Sequence, residues 1–136
     1  YQVLRADIRE AAARFEIVEL GYDPYNATQL VQELAEDGLT LVEIPQTMRQ
    51  LSPATKELER LILLRAFHHG GHPALRWMFG NVAIAQDSGG NIKPDKAKST
   101  ERIDGVAATV DALVRFQGDD GDTGASYYED HDLLVF

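Results

Sequence analysis

EIVELGYDPYNATQLVQELAEDGLTLVEI, residues 16–44, is the stretch that decides the fold. Two short apolar segments, residues 16–22 and 39–44, have the composition of strands and enclose a helix predicted over residues 25–37. A proline suits the start of that helix, and a glycine just beyond it suits its end. A strand, a helix and a second strand within about 30 residues form a βαβ unit, so the two strands should be parallel. We therefore predict an α/β fold.

Further elements are predicted on both sides of this unit. Residues 2–14 have the periodicity of an amphipathic helix, and a third helix should begin at Ser52-Pro53, with serine as N-cap and proline just inside. Residues 73–79 fit either a short helix or a packed turn, and the segments around DSGG predict a β-hairpin. A last helix is predicted over residues 101–116. The inward side chains of the third and last helices are predicted to be Leu58, Leu61, Ile62, Leu64, Ile103, Val106, Ala107, Val110, Leu113 and Val114.

The composition is that of one globular domain. The chain has 136 residues, 44% of them apolar, which is enough for a real core. It contains no cysteine, which excludes disulfides and thiolate metal sites. No apolar run approaches the roughly 20 residues that span a bilayer, so no membrane association is expected. Because the sequence opens on Tyr1 rather than on methionine, we expect it to be an excised part of a larger protein.

The net charge of −9 is unevenly distributed. Residues 117–132 carry −6 and contain no lysine or arginine, which leaves −3 for the rest of the chain. We therefore divide the chain into a domain at residues 1–116 and an acidic C-terminal tail at residues 117–136. Just before the last helix, residues 92–102 (IKPDKAKSTER) carry a local +2, which suits contact with phosphates.

Asp23 is the first candidate for chemistry, because it follows the carboxyl end of a predicted parallel strand. In open α/β sheets, ligands and reacting groups collect at that end. An aspartate placed before Pro24 at a helix start is also an ideal N-cap, whose carboxylate would only accept backbone hydrogen bonds. Spacing alone leaves both interpretations open.

Asp104 and Asp111 are the next candidates. Asp104 is predicted in the first turn of the last helix, directly after the basic segment, and Asp111 lies two turns later on the same face. Two carboxylates on a face that also carries small alanines could line a metal site. The alternative is that Asp104 only complements the helix dipole and that both side chains face water.

Two other patterns are weaker. The sequence HHGGH at residues 68–72 offers three histidines, but it lies at a glycine-rich helix exit with no defined fourth ligand, so we interpret them as solvated loop residues. Residues 119–130 are superficially similar to an EF-hand loop, but Gly121 and Thr123 occupy positions that need carboxylates or amides. The sequence has no glycine-rich phosphate loop, dinucleotide fingerprint or nucleophile-elbow motif.

Four ordered motifs carry a family resemblance. They are YDP-x-N at residues 22–26, HP-x-LRWM-x-x-N at 72–81, D-x-x-GN-x-x-P-x-K at 87–96 and RIDG at 102–105. With the segments between them, residues from about 3 to 116 resemble the nuclease domain of tailed-phage terminase large subunits. Trp77 matches the family pattern, and we assign it to the core.

The resemblance implies a ribonuclease H-like fold, a mixed sheet flanked by helices, in which three acids hold two divalent ions. Asp23 of YDP matches the second acid and Asp104 of RIDG the third. The first acid belongs to an opening strand that this chain lacks. Asp111 remains a further candidate ligand. Ligands that are all oxygen atoms suit Mg²⁺ or Mn²⁺. The side chains expected to contact DNA phosphates beside the site are Lys93, Lys96, Lys98 and Arg102.

The implied function is that of an endonuclease that cuts concatemeric double-stranded phage DNA during packaging, by two-metal phosphodiester hydrolysis. The implied partners are the N-terminal packaging ATPase of the same protein, the portal and the small terminase subunit, in the cytoplasm of a bacterial host. Because the first acid is missing, we expect the chain by itself to be inactive. Two alternatives stay open. One is a non-catalytic docking or folding fragment, and the other is a ribonuclease H-like nuclease of the resolvase or transposase type.

Overall fold

The computed structural model describes residues 2–25 and 27–119, and for Asp119 it describes the backbone alone. These residues form five α-helices and four β-strands, a mixed α/β architecture. The chain divides between Pro45 and Gln46 into two compact units, called unit 1 and unit 2 below. None of the helices in the described residues is long and apolar enough to cross a membrane.

Unit 1 contains the predicted βαβ element. Strand β1 (Leu20–Tyr22) is followed by helix α2 (Thr28–Glu36) and strand β2 (Leu41–Glu43), after an opening helix α1 (Gln2–Arg14). The two strands pair in parallel, with Leu20 opposite Leu41, which confirms the predicted topology. Each strand is only three residues long: β1 includes the last three residues of the predicted segment 16–22, and β2 the inner residues of the segment 39–44.

The core of unit 1 is small. Leu30 and Leu34, one helical turn apart on α2, are buried, as is Ile44 just after β2. No residue of α1 is buried, and ion pairs connect this helix to the end of α2. Arg5 donates to Glu33 and Asp37, and Arg9 donates to Asp37. These hydrogen bonds, the one from Arg9 foremost, hold the pKa of the Asp37 carboxyl well below its usual range.

In unit 2, helix α3 (Met48–Leu63) begins four residues before the predicted Ser52 N-cap, so that prediction was wrong. Thr47 is the N-cap, and its hydroxyl accepts a hydrogen bond from the Gln50 amide at 3.2 Å. Ser52 is only 2% exposed, and its hydroxyl accepts from the Ile92 amide at 3.1 Å. Ser52 therefore makes a tertiary contact instead of capping the helix. Pro53 lies inside the helix.

Helices α3 and α5 (Asp104–Asp119) pack against each other and form the core of unit 2. The buried apolar side chains on and beside these helices are Leu51, Ala54, Leu58, Ile103, Val106, Val110 and Val114. The predicted face of α5 is largely confirmed. On α3 the predicted face was wrong beyond Leu58, because Ile62 and Leu64 are exposed. The buried face begins at Leu51, two turns before the predicted Leu58, because the helix itself begins earlier than predicted.

Helix α4 (Pro73–Asn81) settles the ambiguous segment as a helix, but Trp77 is 49% exposed and does not belong to the core. Strands β3 (Ile84–Gln86) and β4 (Ile92–Pro94) pair antiparallel, so the hairpin is confirmed. Asp87 organises its turn by accepting hydrogen bonds from the Gly89 and Asn91 amides and from the Asn91 side chain. These bonds, the one from the Asn91 side chain foremost, lower the pKa of the Asp87 carboxyl.

Helix α5 starts at Asp104 rather than at residue 101, and it continues to Asp119, three residues into the segment assigned to the acidic tail. Residues 120–136, which hold the rest of that tail, lie outside the described residues. A cavity of about 190 Å³ lies within unit 2, with walls that include Leu58, Ile92, Val106 and Val110. None of the candidate acids lines it.

Candidate functional site

Asp23 lies in unit 1 immediately after β1, at the carboxyl end of a parallel strand pair as predicted. It is exposed, and its Oδ1 accepts a hydrogen bond from the Tyr25 amide at 2.9 Å. This contact closes a short turn of the kind that aspartate favours, and it fixes the direction of the carboxylate.

The helix-cap interpretation of Asp23 does not hold in the structure. Helix α2 begins at Thr28, and its N-cap is Ala27, which makes no side-chain capping bond. The start of that helix therefore does not require the Asp23 carboxylate. An exposed carboxylate oriented by one backbone amide, at the end of a parallel strand, is suited to binding a cation from solvent.

Asp104 is the first residue of α5 in unit 2, and its backbone is held on both sides. Ile103 before it is 1% exposed. Gly105 after it lies so close to helix α4 that an added Cβ would be 2.8 Å from Leu75 Cδ1 and 2.9 Å from Met78 Sδ. The Asp104 side chain itself is 61% exposed. A fixed backbone thus presents a carboxylate to solvent.

Lys96 is the cation that meets Asp104. Its Nζ lies 3.2 Å from Asp104 Oδ1, and the two side chains are 65% and 61% exposed. The structure therefore brings together one of the predicted phosphate-binding cations and one of the predicted catalytic acids. No pattern in the sequence predicts that these two residues pair.

The loop that carries Lys96 is ordered by its own hydrogen bonds. The Asp95 carboxylate accepts from the backbone amides of Ala97 and Lys98. Ser99 donates its hydroxyl to the Asp95 carbonyl at 2.6 Å and accepts from the Ala83 amide at 3.0 Å. These contacts tie the loop to the residue before β3, so the position of the lysine backbone follows from the fold.

Asp111 and Lys93 are joined through Gln46, a residue that the sequence analysis did not single out. The Gln46 side chain donates to Asp111 Oδ1 at 3.1 Å, and the Gln46 carbonyl accepts from Lys93 Nζ at 2.9 Å. Both bonds are partly buried. Gln46 thus links β4 to α5, and no pattern in the sequence marks it for this role.

The two remaining predicted cations are exposed. Lys98 Nζ lies 3.8 Å from Asp95 Oδ2, a loose pair within the loop. Arg102 is exposed immediately before the buried Ile103. Lys96, Lys98 and Arg102 therefore lie on the eleven-residue segment 92–102, which presents its charge to solvent next to Asp104.

Two of the three histidines of HHGGH have defined local contacts. His72 is the N-cap of α4, and its Nδ1 accepts from the Ala74 amide at 3.2 Å. The His69 ring packs against Phe67 and Phe79, with centroids 5.7 and 6.1 Å apart. Neither contact requires a metal.

Whether the residues fit a divalent metal depends on their donor atoms. Asp23 and Asp104 offer exposed carboxylate oxygens, the donor type that Mg²⁺ and Mn²⁺ bind, and the Lys96 ammonium already occupies a cation position on Asp104. Within residues 2–25 and 27–119, no three histidine, aspartate or glutamate side chains cluster as a metal site. The oxygen donors of Asp23 and Asp104 are therefore of the type that binds Mg²⁺ or Mn²⁺, and each carboxylate is a candidate ligand by itself.

The chain resembles proteins of known class. A family model described as the endonuclease domain of the terminase large subunit matches residues 3–120. The chain is 32% identical over 129 residues to the large subunit of the terminase of Enterobacteria phage HK97, which covers 93% of the chain and 26% of that relative. It is 33% identical over 137 residues to protein YmfN of Escherichia coli K12, which covers 98% of the chain and 28% of that relative.

A solved structure agrees with the sequence matches. The crystal structure of the HK97 bacteriophage large terminase superposes with a TM-score of 0.75 at 33% sequence identity, over 83% of this chain and 24% of that one. The chain therefore spans about a quarter of the length of the relatives that it matches.

Proposed function

Because this chain belongs to the family of terminase large subunit endonuclease domains, we propose that, as part of a protein of the length of its relatives, it cuts concatemeric double-stranded DNA by metal-dependent phosphodiester hydrolysis. The observation that carries the proposal is Asp104, which holds an exposed carboxylate on a backbone fixed by Ile103 and Gly105, beside a segment of exposed cations. Asp23 supports it as a second oriented carboxylate, at the end of a parallel strand.

Each acid has a defined task in this proposal. Asp23 and Asp104 would each supply carboxylate oxygens to Mg²⁺ or Mn²⁺, with Asp111 as a further candidate ligand. When bound, such ions activate the attacking water and stabilise the leaving oxygen. The Tyr25 amide orients the Asp23 carboxylate, and the packing of Gly105 on α4 fixes the start of the helix that carries Asp104.

The substrate is held by charge in this proposal. Lys96, Lys98 and Arg102 contact phosphates, which position the duplex without reading its sequence. The amino group of Lys93 donates a hydrogen bond to the Gln46 carbonyl. Its positive charge therefore attracts DNA phosphates from a position that this hydrogen bond fixes. Weak sequence preference is expected, because phosphate contacts carry no base information.

The wider setting is part of the same proposal. The chain spans about a quarter of its relatives, and the remainder of such a protein would supply the packaging ATPase. The portal and a small terminase subunit would be its partners, in the cytoplasm of a bacterial host cell.

The experiment compares single substitutions in a form of the protein extended to the length of its relatives. Plasmid cleavage is measured with Mg²⁺ and with Mn²⁺ for Asp23→Asn, Asp104→Asn and the control Asp7→Asn, which alters an exposed carboxylate on α1. We expect each of the first two changes to lower the rate by about 10²–10³ or more, since each removes a term that stabilises charge in the transition state. The control should cleave like the wild type.

Circular dichroism and thermal unfolding establish that the variants are folded. Cleavage by folded Asp104→Asn at the wild-type rate would overturn the catalytic assignment. If the wild type itself fails to cleave while binding DNA, the alternative of a non-catalytic docking fragment gains support.

A further inference from the structure

The contact between Lys96 and Asp104 has an organised origin. The two residues lie eight positions apart, and the loop that joins them is tied down by Asp95 and Ser99. The Lys96 ammonium therefore reaches Asp104 from a backbone whose position is set by hydrogen bonds, and its Nζ lies 3.2 Å from Asp104 Oδ1.

We infer that Lys96 is a competing cation, which occupies the Asp104 carboxylate until a divalent ion binds there and which is then released to contact a DNA phosphate. The inference rests on the proposed function, because it takes Asp104 as a metal ligand. Lys96 then couples the binding of the metal ion to the binding of DNA, in addition to contacting a phosphate.

Electrostatics gives the reason for the competition. An ammonium group and a divalent ion at the same carboxylate repel each other, because like charges about 4 Å apart interact unfavourably even where solvent screens them. This repulsion acts even if the ion binds Oδ2 and the lysine remains near Oδ1. Metal binding therefore favours the conformers in which Lys96 has left Asp104.

Release of Lys96 couples metal binding to DNA binding. Once it leaves Asp104, its charge is available for a phosphate, so the ion raises the affinity for DNA. Linkage then requires that DNA raise the affinity for the ion by the same factor. The size of the effect is limited by the strength of an exposed ion pair, which corresponds to about 1.5- to 5-fold in a binding constant.

Lys98 provides a matched control. It lies two residues further on, is similarly exposed, and its Nζ lies 3.8 Å from a different carboxylate, that of Asp95. Lys98→Met and Lys96→Met remove the same charge from the same loop. Any general effect of lower positive charge on cation binding is therefore common to both variants.

The first measurement is Mn²⁺ binding, without DNA, to the extended form of the protein used for the cleavage assay, by calorimetry or by the loss of the free-ion electron paramagnetic resonance signal. We expect Lys96→Met to bind Mn²⁺ about 1.5- to 5-fold more tightly than Lys98→Met. Lys96→Arg should bind like the wild type, because it keeps the competing charge. Asp104→Asn should bind Mn²⁺ more weakly than every other variant.

The second measurement is the affinity for a short DNA duplex, with and without Mn²⁺ at constant ionic strength. In the wild type Mn²⁺ should raise this affinity. Lys96→Met should lose part of that increase, whereas Lys98→Met should weaken binding by the same factor in both conditions.

The outcomes separate the inference from the proposed function. If Asp104→Asn leaves Mn²⁺ binding unchanged, Asp104 is not a ligand and the proposed function fails at this residue. If Asp104→Asn weakens Mn²⁺ binding but Lys96→Met and Lys98→Met bind the ion equally, the metal site stands and the competition is wrong.

Discussion

Among single residues, Asp37 shows how a surface carboxylate can hold two elements together. It accepts hydrogen bonds from Arg5 and Arg9 of α1, a helix with no buried residue. The attachment of α1 to α2 therefore depends on charge more than on apolar area. Isolated exposed ion pairs contribute little, but several hydrogen bonds that meet on one carboxylate fix its geometry.

The first prediction concerns Asp37→Asn. Because the folded-state pKa of Asp37 is lowered, its contribution to stability is complete above the ordinary carboxyl pKa of about 4 and is lost as pH falls below it. We expect the variant to unfold at a lower temperature than the wild type at pH 7, and the difference to shrink below about pH 4. Thermal unfolding followed across this pH range measures it. Glu36→Gln, one residue away, is the control and should show no such pH-dependent difference.

A second prediction concerns the exposed cations. If Lys98 and Arg102 contact phosphates, each alanine substitution should lower the slope of log binding constant against log salt concentration by about 0.9 for duplex DNA. A fluorescence anisotropy titration over a range of salt concentrations gives this slope. Arg49→Ala, an exposed cation on α3, is the control. An unchanged slope for Lys98→Ala and Arg102→Ala would make them ordinary solvated charges.

At the level of elements, the sequence predicted the features that depend on local signals. The parallel βαβ unit follows from two apolar segments around a helix, and the hairpin follows from DSGG, whose aspartate makes three hydrogen bonds within the turn. The start of α3 was predicted wrongly. Ser52 has the sequence signature of an N-cap, yet its hydroxyl binds the Ile92 amide forty residues away, and such a tertiary partner leaves no local trace.

The candidate site was predictable to a similar extent. The strand-end position of Asp23 follows from periodicity, and the first-turn position of Asp104 follows from the helix pattern. The pairing of Lys96 with Asp104 did not follow, because it depends on a loop conformation set by Ser99 and Asp95. Gln46 was missed for the same reason, since its partners lie 47 and 65 residues away.

The third prediction tests the close approach of α4 and α5. An alanine Cβ at Gly105 would meet Leu75 and Met78 at distances below 3.0 Å, so these side chains must shift. Both atoms are the ends of flexible side chains, which can move, so we expect the clash to offset the gain in helix propensity and Gly105→Ala to lower the free energy of unfolding by up to about 1 kcal/mol. Gly80→Ala is the matched control, since that helical glycine faces open space, and it should be neutral or stabilising by up to about 1 kcal/mol. Chemical denaturation of both variants measures the difference, and equal stabilities would contradict the close approach.

For the whole molecule, charge distribution matters more than net charge. The total of −9 includes five acidic residues between positions 120 and 136, so the part of the chain up to Asp119 carries −4. Four of its thirteen cations lie next to Asp104, in the segment 92–102, which carries a local charge of +2. A protein with this distribution can bind a polyanion locally although its overall charge opposes binding.

The fourth prediction follows from that distribution. Deletion of residues 120–136 removes a charge of −5 from the protein, so we expect tighter DNA binding at low salt and a smaller difference at high salt, where repulsion is screened. The thermal unfolding transition should change little, because the buried apolar side chains within residues 2–25 and 27–119 all lie between Leu30 and Val114. Anisotropy titrations and calorimetry test the two parts separately. A large loss of stability would show that the acidic segment is structural.

The packing of α3 on α5 has a consequence for biosynthesis. On the ribosome, the apolar face of α3 is complete once Leu58 has emerged, whereas its cover on α5 ends at Val114, 56 residues later. At roughly 5–20 residues per second, that face stays open for roughly 3–10 s of translation. During this interval the nascent chain presents leucines to any chaperone or neighbouring chain within reach. The yield of soluble protein in a cell should therefore depend on how quickly the codons for residues 59–114 are translated.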